Sequence, residues 1–219
     1  MAPPRNIRRR AVLADAAIEV LGTAGIHRLS HRAVDERAGL PAGTAANYFP
    51  RRDDLLAAAA ERVAELHVAE MTAADRTAAR TDGVPADEEA LAQLIGASLF
   101  DAVTRHRTRY LAAYELALES TRQPELAAAM ARLGAAAMGT TLAEHRSLGL
   151  PSTAEQVQAL ITLYNGTLLM LIVAPPGTVS HEMALALSRS LVAGVVAAVP
   201  GAASSGQQIS AVKEVTEES

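Results

Sequence analysis

The chain has 219 residues, half of them hydrophobic and only 3% aromatic, with no Cys and a net charge of −4. That length holds one or two domains with a sizeable core, and the apolar content excludes a disordered chain. The lack of Cys excludes disulfides and thiol-ligated metal and fits a cytoplasmic protein. Ala and Leu carry the apolar content, which favours helix over strand.

The net charge conceals an asymmetry. Residues 1–52 hold nine Arg against four acids (Asp15, Glu19, Asp35 and Glu36), so a basic head precedes an acidic body. Such a head suits a polyanionic partner, although a chance fluctuation of charge along the chain would look the same.

Residues 1–8 are rich in Pro and Arg and are expected to form a mobile arm. The apolar stretch that follows contains Asp15 and Glu19, which a secretory leader would not carry. Val12, Leu13, Ala16, Ala17, Val20 and Leu21 recur on one face and predict a helix over 9–23, closed by Gly22 and Gly25. Ser30 is a good N-cap for a second helix over 31–38, and Gly39 suits its C-terminus. Pro41 suits the first turn of a third helix over 41–48, which Pro50 ends. Two short helices so closely joined form a helix-turn-helix candidate. Asp53 and Asp54 then open a long fourth helix, with Leu55, Leu56, Ala59, Ala60, Val63 and Leu66 as its apolar face.

Residues 81–85 break the pattern and predict a loop. Further helices are predicted near 87–105, 108–121, 124–147, 153–173 and 181–199, separated by Pro124, by Gly149 with Pro151, and by Pro175-Pro176-Gly177. The longest apolar run, 160–174, is short for a bilayer and contains Asn165, so a buried helix is expected rather than a membrane span. No segment alternates with period two, so no sheet is expected. The expected fold is all-α: an arm and three-helix helix-turn-helix domain over 1–54, a helical bundle for regulation and dimerisation over 55–200, and a disordered tail over 201–219.

Nothing favours an enzyme. There is no glycine-rich phosphate loop and no His-Glu-x-x-His. His27 and His31 stand four apart but straddle the helix start at Leu29-Ser30, so no metal and no cofactor are expected. Glu61, Glu65 and Glu70 read as a solvated helix face, and Arg105, His106, Arg107 and Arg109 as a surface helix junction.

The stretch from Ala11 to Leu56 resembles the DNA-binding domain of TetR-family regulators. The shared features are Gly25, the Ser30 cap, Ala38-Gly39, Gly43-Thr44, Tyr48-Phe49 and the run Arg52-Asp53-Asp54-Leu55-Leu56. Arg109 to Leu126 resembles a sixth helix common in the same family. One departure concerns Ala46, aligned with a position where the family often has a DNA-contacting aromatic.

The resemblance implies an operator-binding homodimer, with a near-palindromic operator, that a small molecule releases. It places Ser30, His31, Arg32, Thr44, Asn47, Tyr48, Arg51 and Arg52 at the DNA. Arg32 would read a base, because Arg bidentate to guanine is the commonest specific contact. Tyr48, Arg51 and Arg52 would meet phosphates, Arg52 standing where the family usually has Lys. Val34, Ala38, Leu40 and Phe49 would be core. Of the effector site the resemblance says little. The mixed apolar and polar side chains of the central helices, Tyr110, Tyr114, Met138, Tyr164 and Asn165, are its candidates, and their surroundings suit a hydrophobic molecule. In family terms the last two long helices pack against their copies. The rival reading is a helical scaffold that has lost DNA binding, prompted by the small side chains Ala45 and Ala46.

Overall fold

Ala-rich amphipathic segments fold into nine α-helices and a short 3-10 turn, with no strand, among the described residues. These are residues 4–78, 88–147, 149–150 and 152–198 of a computed structural model. In chain order they are α1 (Pro4–Ala24), the 3-10 turn Ile26–Arg28, α2 (His31–Ala38), α3 (Thr44–Tyr48) and α4 (Arg52–Ala78). Then come α5 (Glu88–Thr104), α6 (Arg107–Ser120), α7 (Pro124–Ser147), α8 (Ala154–Val173) and α9 (His181–Ala198). The expected loop at 81–85 and the expected tail lie outside the described residues.

Helix α1 starts earlier than the periodicity suggests and takes in much of the expected arm. Pro4 in its first turn costs nothing, since that N–H has no helical partner anyway. The third helix starts later than expected. Pro41 to Gly43 form a turn, and Gly43, at φ 87°, supplies the left-handed conformation from which α3 departs.

The head has its own core, built from Leu13, Ala17 and Leu21 of α1, Val34 of α2, Ala45 of α3, Phe49, and Leu55 and Leu56 of α4, all essentially inaccessible to water. That core does not stop at the head. Ala112 and Leu116 of α6 and Leu126 of α7 belong to it, so α6 lies against α1. The approach is close: a Cβ on Gly22 would stand 2.0 Å from the Thr108 carbonyl oxygen. A second core joins Leu99, Ala102 and Val103 of α5 to Leu168, Leu171 and Ile172 of α8 and Ala184 of α9. Here the buried Ser188 hydroxyl donates to the Ala92 carbonyl at 2.6 Å, and Gly96 leaves room for the Leu185 backbone. A capping box opens α8, with Thr153 Oγ1 accepting from the Gln156 N–H at 3.2 Å and Gln156 Oε1 accepting from the Thr153 N–H at 2.9 Å.

Helices α7 and α8 are long and apolar enough to cross a bilayer by length and composition alone. For α8 the packing gives another account: Val157, Leu160, Leu168, Leu171 and Ile172 are buried. Leu163, Leu169, Met170 and Val173 of α8, with Met183 of α9, remain exposed.

Two readings of the charged residues are corrected. Arg109 is buried rather than part of a surface junction, and both its terminal nitrogens donate to Glu70 of α4 at 2.5 Å. His106 lies 3.2 Å from the same carboxylate, and Arg107 donates to the Ala174 carbonyl at 3.2 Å. Glu70 is therefore a link between α4 and α6, not a solvated face. Sequence periodicity places it outward because α6 covers that flank of α4 only in the tertiary fold.

Candidate nucleic-acid interface and effector site

Helix α2 is set at both ends by local chemistry. Ser30, in extended backbone, accepts from the Ala33 N–H at 3.2 Å, and Gly39 closes the helix at φ 64°. Helix α3 has only five residues and cannot stand alone. Asp35 holds it. That carboxylate is 2% exposed, and its two oxygens accept from the Gly43 N–H at 2.8 Å and the Ala45 N–H at 2.7 Å. A carboxylate beneath the first N–H groups of a helix meets both their unpaired donors and the positive end of the dipole. The other end of α3 is held by His31, whose Nε2 donates to the Phe49 carbonyl at 2.6 Å. A carbonyl only accepts, so the proton of this His sits on Nε2.

Given these ties, the outward side of α2 and α3 is fixed. Arg32, Ala46 and Asn47 are exposed, and Thr44 and Tyr48 are half-buried. Among the described residues the Arg32 guanidinium pairs with Glu36 one turn on, at 2.8 Å and in open solvent, so a better acceptor can take it. Thr44 donates to the Pro41 carbonyl at 2.5 Å, which gives it a capping role within the turn. Arg10 lies over the Phe49 ring at 4.5 Å and donates to the Tyr48 carbonyl, binding α1 to the end of α3. Arg51 is exposed and reaches Glu125 at 2.7 Å. Arg52 points inward instead: it donates to the Ile26 carbonyl at 2.7 Å and to the Leu29 carbonyl at 3.3 Å. In this conformation its guanidinium braces the head rather than facing outward.

In the body, four of the five candidate effector residues come together. Tyr164 and Ser98 hydroxyls are 2.8 Å apart, Tyr114 donates to the Asn165 carbonyl at 2.8 Å, and the Tyr110 hydroxyl lies 3.3 Å from His67 Nδ1. Burial pushes the Tyr110, Tyr114 and Tyr164 phenols above the ordinary phenol range, so all three remain neutral. Burial likewise lowers His67, with the nearby Arg109 charge adding to the effect. The Asn165 side chain is turned back onto its own helix, donating to the Ile161 carbonyl. Met138 is not part of this cluster. It lines a separate open groove of about 710 Å³ between α7 and α8, with Glu155, Gln158, Thr162 and Leu163. Sequence reasoning missed Asp35, Glu70 and Ser98. An acid inside an otherwise polar helix, such as Asp35, carries no signal of its partners eight and ten residues on.

A short helix pair with a basic outer face, seated on an all-helical body that carries a half-buried cluster of tyrosines, defines a helix-turn-helix regulator. Residues 13–59 match the family of bacterial regulatory proteins of the tetR type, and residues 86–198 match the tetracyclin repressor-like C-terminal domain. The chain belongs to the TetR family of transcriptional regulators. Among solved structures, it is 30% identical to a TetR-family member from Streptomyces coelicolor A3, covering 86% of this chain and 98% of that one, with a TM-score of 0.60. It is 29% identical to the multidrug binding protein EbrR complexed with imidazole, covering 87% and 93%, also at 0.60. A transcriptional regulator from Rhodococcus sp. Rha1 shares the fold at a TM-score of 0.68 and 18% identity, covering 86% and 96%. No curated protein matches the chain.

Proposed function

We propose that this regulator is a cytoplasmic homodimeric repressor that binds a near-palindromic operator and leaves it when a small hydrophobic molecule enters the body. The observation that carries the reading is the pair of hydrogen bonds that the Gly43 and Ala45 N–H groups donate to the Asp35 carboxylate at the start of α3. It fixes α3 against α2, which leaves Asn47 of α3, Arg32 of α2 and Arg51 just beyond α3 exposed, with Tyr48 half-buried, on a basic head. Arg32 and Asn47 then reach base edges, Tyr48 and Arg51 meet phosphates, and Ser30, His31 and Arg52 hold the scaffold. Small Ala46 lets the helix backbone approach the groove closely. Two heads require two copies, and the exposed apolar residues of α8 and α9 supply the surface. Leu163, Met170, Val173 and Met183 then pack against their symmetry mates.

The effector site is the cluster of Tyr110, Tyr114, Tyr164 and Asn165, whose phenol edges orient a ligand within aliphatic walls. EbrR is named as a multidrug binding protein and has been crystallised with ethidium, at 27% identity to this chain and a TM-score of 0.60. That likeness supports a broad apolar ligand class. A ligand acts by preferring the conformation that binds DNA poorly, with about 1–3 kcal/mol of coupling. Fluorescence anisotropy with duplexes from the DNA upstream of the gene tests the reading. Salt-dependent, sequence-selective binding by a dimer is expected. Equal affinity for all duplexes, or a monomer by sedimentation, contradicts it.

A further inference from the structure

Both polar atoms of a single peptide residue, Ile26, are held from outside its own turn. Its N–H donates to Glu115 Oε2 of α6 at 3.1 Å. Its carbonyl accepts from Arg52 of α4 at 2.7 Å, and the same guanidinium holds the Leu29 carbonyl at 3.3 Å. Leu29 immediately precedes Ser30, the cap of α2, and the Ile26 side chain is packed in the head core. The preceding Gly25, at φ 81°, turns the chain so that the amide of Ile26 faces α6. Two helical turns earlier on α6, the Thr108 carbonyl abuts Gly22 of α1. Thr108 and Glu115 are seven residues apart and share one face of α6.

We propose that Ile26 is the joint through which the helical body sets the attitude of the helix-turn-helix, with Glu115 and Arg52 as its positioning residues. The first N–H of a 3-10 turn has no acceptor within the turn, and a carboxylate gives it a charge-assisted bond. At Gly22 the Thr108 carbonyl meets the α1 backbone directly, with the Thr108 methyl beside it, so the contact has little slack to absorb a shift. A movement of α6 therefore carries Thr108 and Glu115 together, and the end of α1, the 3-10 turn and the cap of α2 follow. Arg52 ties the same turn to α4, so α4 and α6, two of the helices that link head and body, meet on one residue. The Arg62–Asp15 pair, 2.7 Å, ties α4 to α1 without involving α6.

The assignment of a physiological role rests on the proposed DNA binding, but its first test does not. The chain has no Cys, so spin labels can be placed at will. Cys introduced at Ala42 in the head and at Ala97 on α5, both exposed, report the head-to-body distance in full-length protein diluted with unlabelled chains. The natural background and Glu115→Gln, whose amide oxygen still accepts from Ile26, are expected to give one narrow distance peak. Glu115→Ala is expected to lose that peak while keeping its helical circular dichroism. Should Glu115→Ala fail to fold, Arg52→Met carries the same expectation. An unchanged peak in the folded variant overturns the proposal. On DNA, Glu115→Ala is expected to bind a single half-site normally but to lose about tenfold on the full operator, where two heads must be held in register. An equal loss on both duplexes would assign Glu115 to local folding alone and overturn the positioning role. If the unaltered protein bound no duplex, the DNA reading would fall while the distance measurement still decided the joint.

Discussion

Removing the Asp35 carboxylate should cost more than any other single change on the head. Asp35 is 2% exposed and accepts from two N–H groups at 2.8 and 2.7 Å. In Asp35→Ala both donors lose their acceptor, the Ala45 N–H in a buried site and the Gly43 N–H in a partly buried one. Each unmet donor costs about 1–3 kcal/mol, so the head loses about 2–6 kcal/mol, with loss of the favourable charge at the α3 N-terminus included. Asp35→Asn keeps one acceptor oxygen but turns an NH₂ toward an N–H, so about half of that loss is expected. Because the head core continues into α6 and α7, unfolding of the head exposes Leu116 and Leu126 as well. At about 2–4 °C per kcal/mol for a chain of this size, Asp35→Ala should melt about 4–24 °C lower. Urea unfolding by circular dichroism, with operator anisotropy alongside, reads both quantities. DNA binding should disappear before the body unfolds, because the Asp35 carboxylate is the side chain that meets the N–H groups of Gly43 and Ala45 at the start of α3. A change under about 0.5 kcal/mol in Asp35→Ala would refute the reasoning, since that is the range of ordinary surface substitutions.

Four further outcomes are expected. Gly22→Ala should destabilise the chain by about 1–3 kcal/mol or more in a melting experiment, because its Cβ would lie 2.0 Å from the backbone oxygen of Thr108, which cannot rotate away. Arg32→Ala should lower operator binding about ten- to hundredfold and scrambled duplex hardly at all, whereas Arg51→Ala should weaken both and make the log-affinity against log-salt slope shallower by about one. Met170→Glu on the exposed face of α8 should shift sedimentation from dimer to monomer, since it places a charge at the proposed two-fold contact. Burial holds His67 and His145 below the ordinary imidazole pKa in the fold, so the unfolded chain binds protons first. Stability should be highest above about pH 6.5 and fall as pH drops through that value toward the folded-state pKa, and replacing His145 with Gln should flatten the melting profile over that range.

What could be read from the sequence follows the range of the interactions involved. Helix α2 is bounded by Ser30 and Gly39, both of which act through their own backbone neighbourhood, and its predicted limits agree with the structure. Helix α3 is expected from sequence to start at Pro41, whereas its start at Thr44 depends on Asp35 reaching across the turn. Phe49 and Val34 are legible as core because apolar residues in register with two helices have nowhere else to go. The motif places Arg52 at a phosphate, but its inward turn depends on the carbonyls of Ile26 and Leu29, over twenty residues away. Composition singles out Tyr110, Tyr114, Tyr164 and Asn165 as polar side chains on apolar helices, whereas their meeting depends on contacts more than fifty residues apart. It could not separate Met138, which faces a different groove. The Glu70–Arg109 link has no local signal, since an acid on an amphipathic helix looks the same whether water or α6 covers it.

The pattern in which the protein protects DNA tests its two-fold operator binding most directly. A quantitative hydroxyl-radical footprint with full-length protein, on a duplex selected from random sequence for tight binding, measures this in one step. Two equivalent protected segments related by two-fold symmetry are predicted, their half-sites centred about one helical turn or a multiple of it apart. Uniform protection along the duplex, or failure of any sequence to emerge from selection, would contradict it.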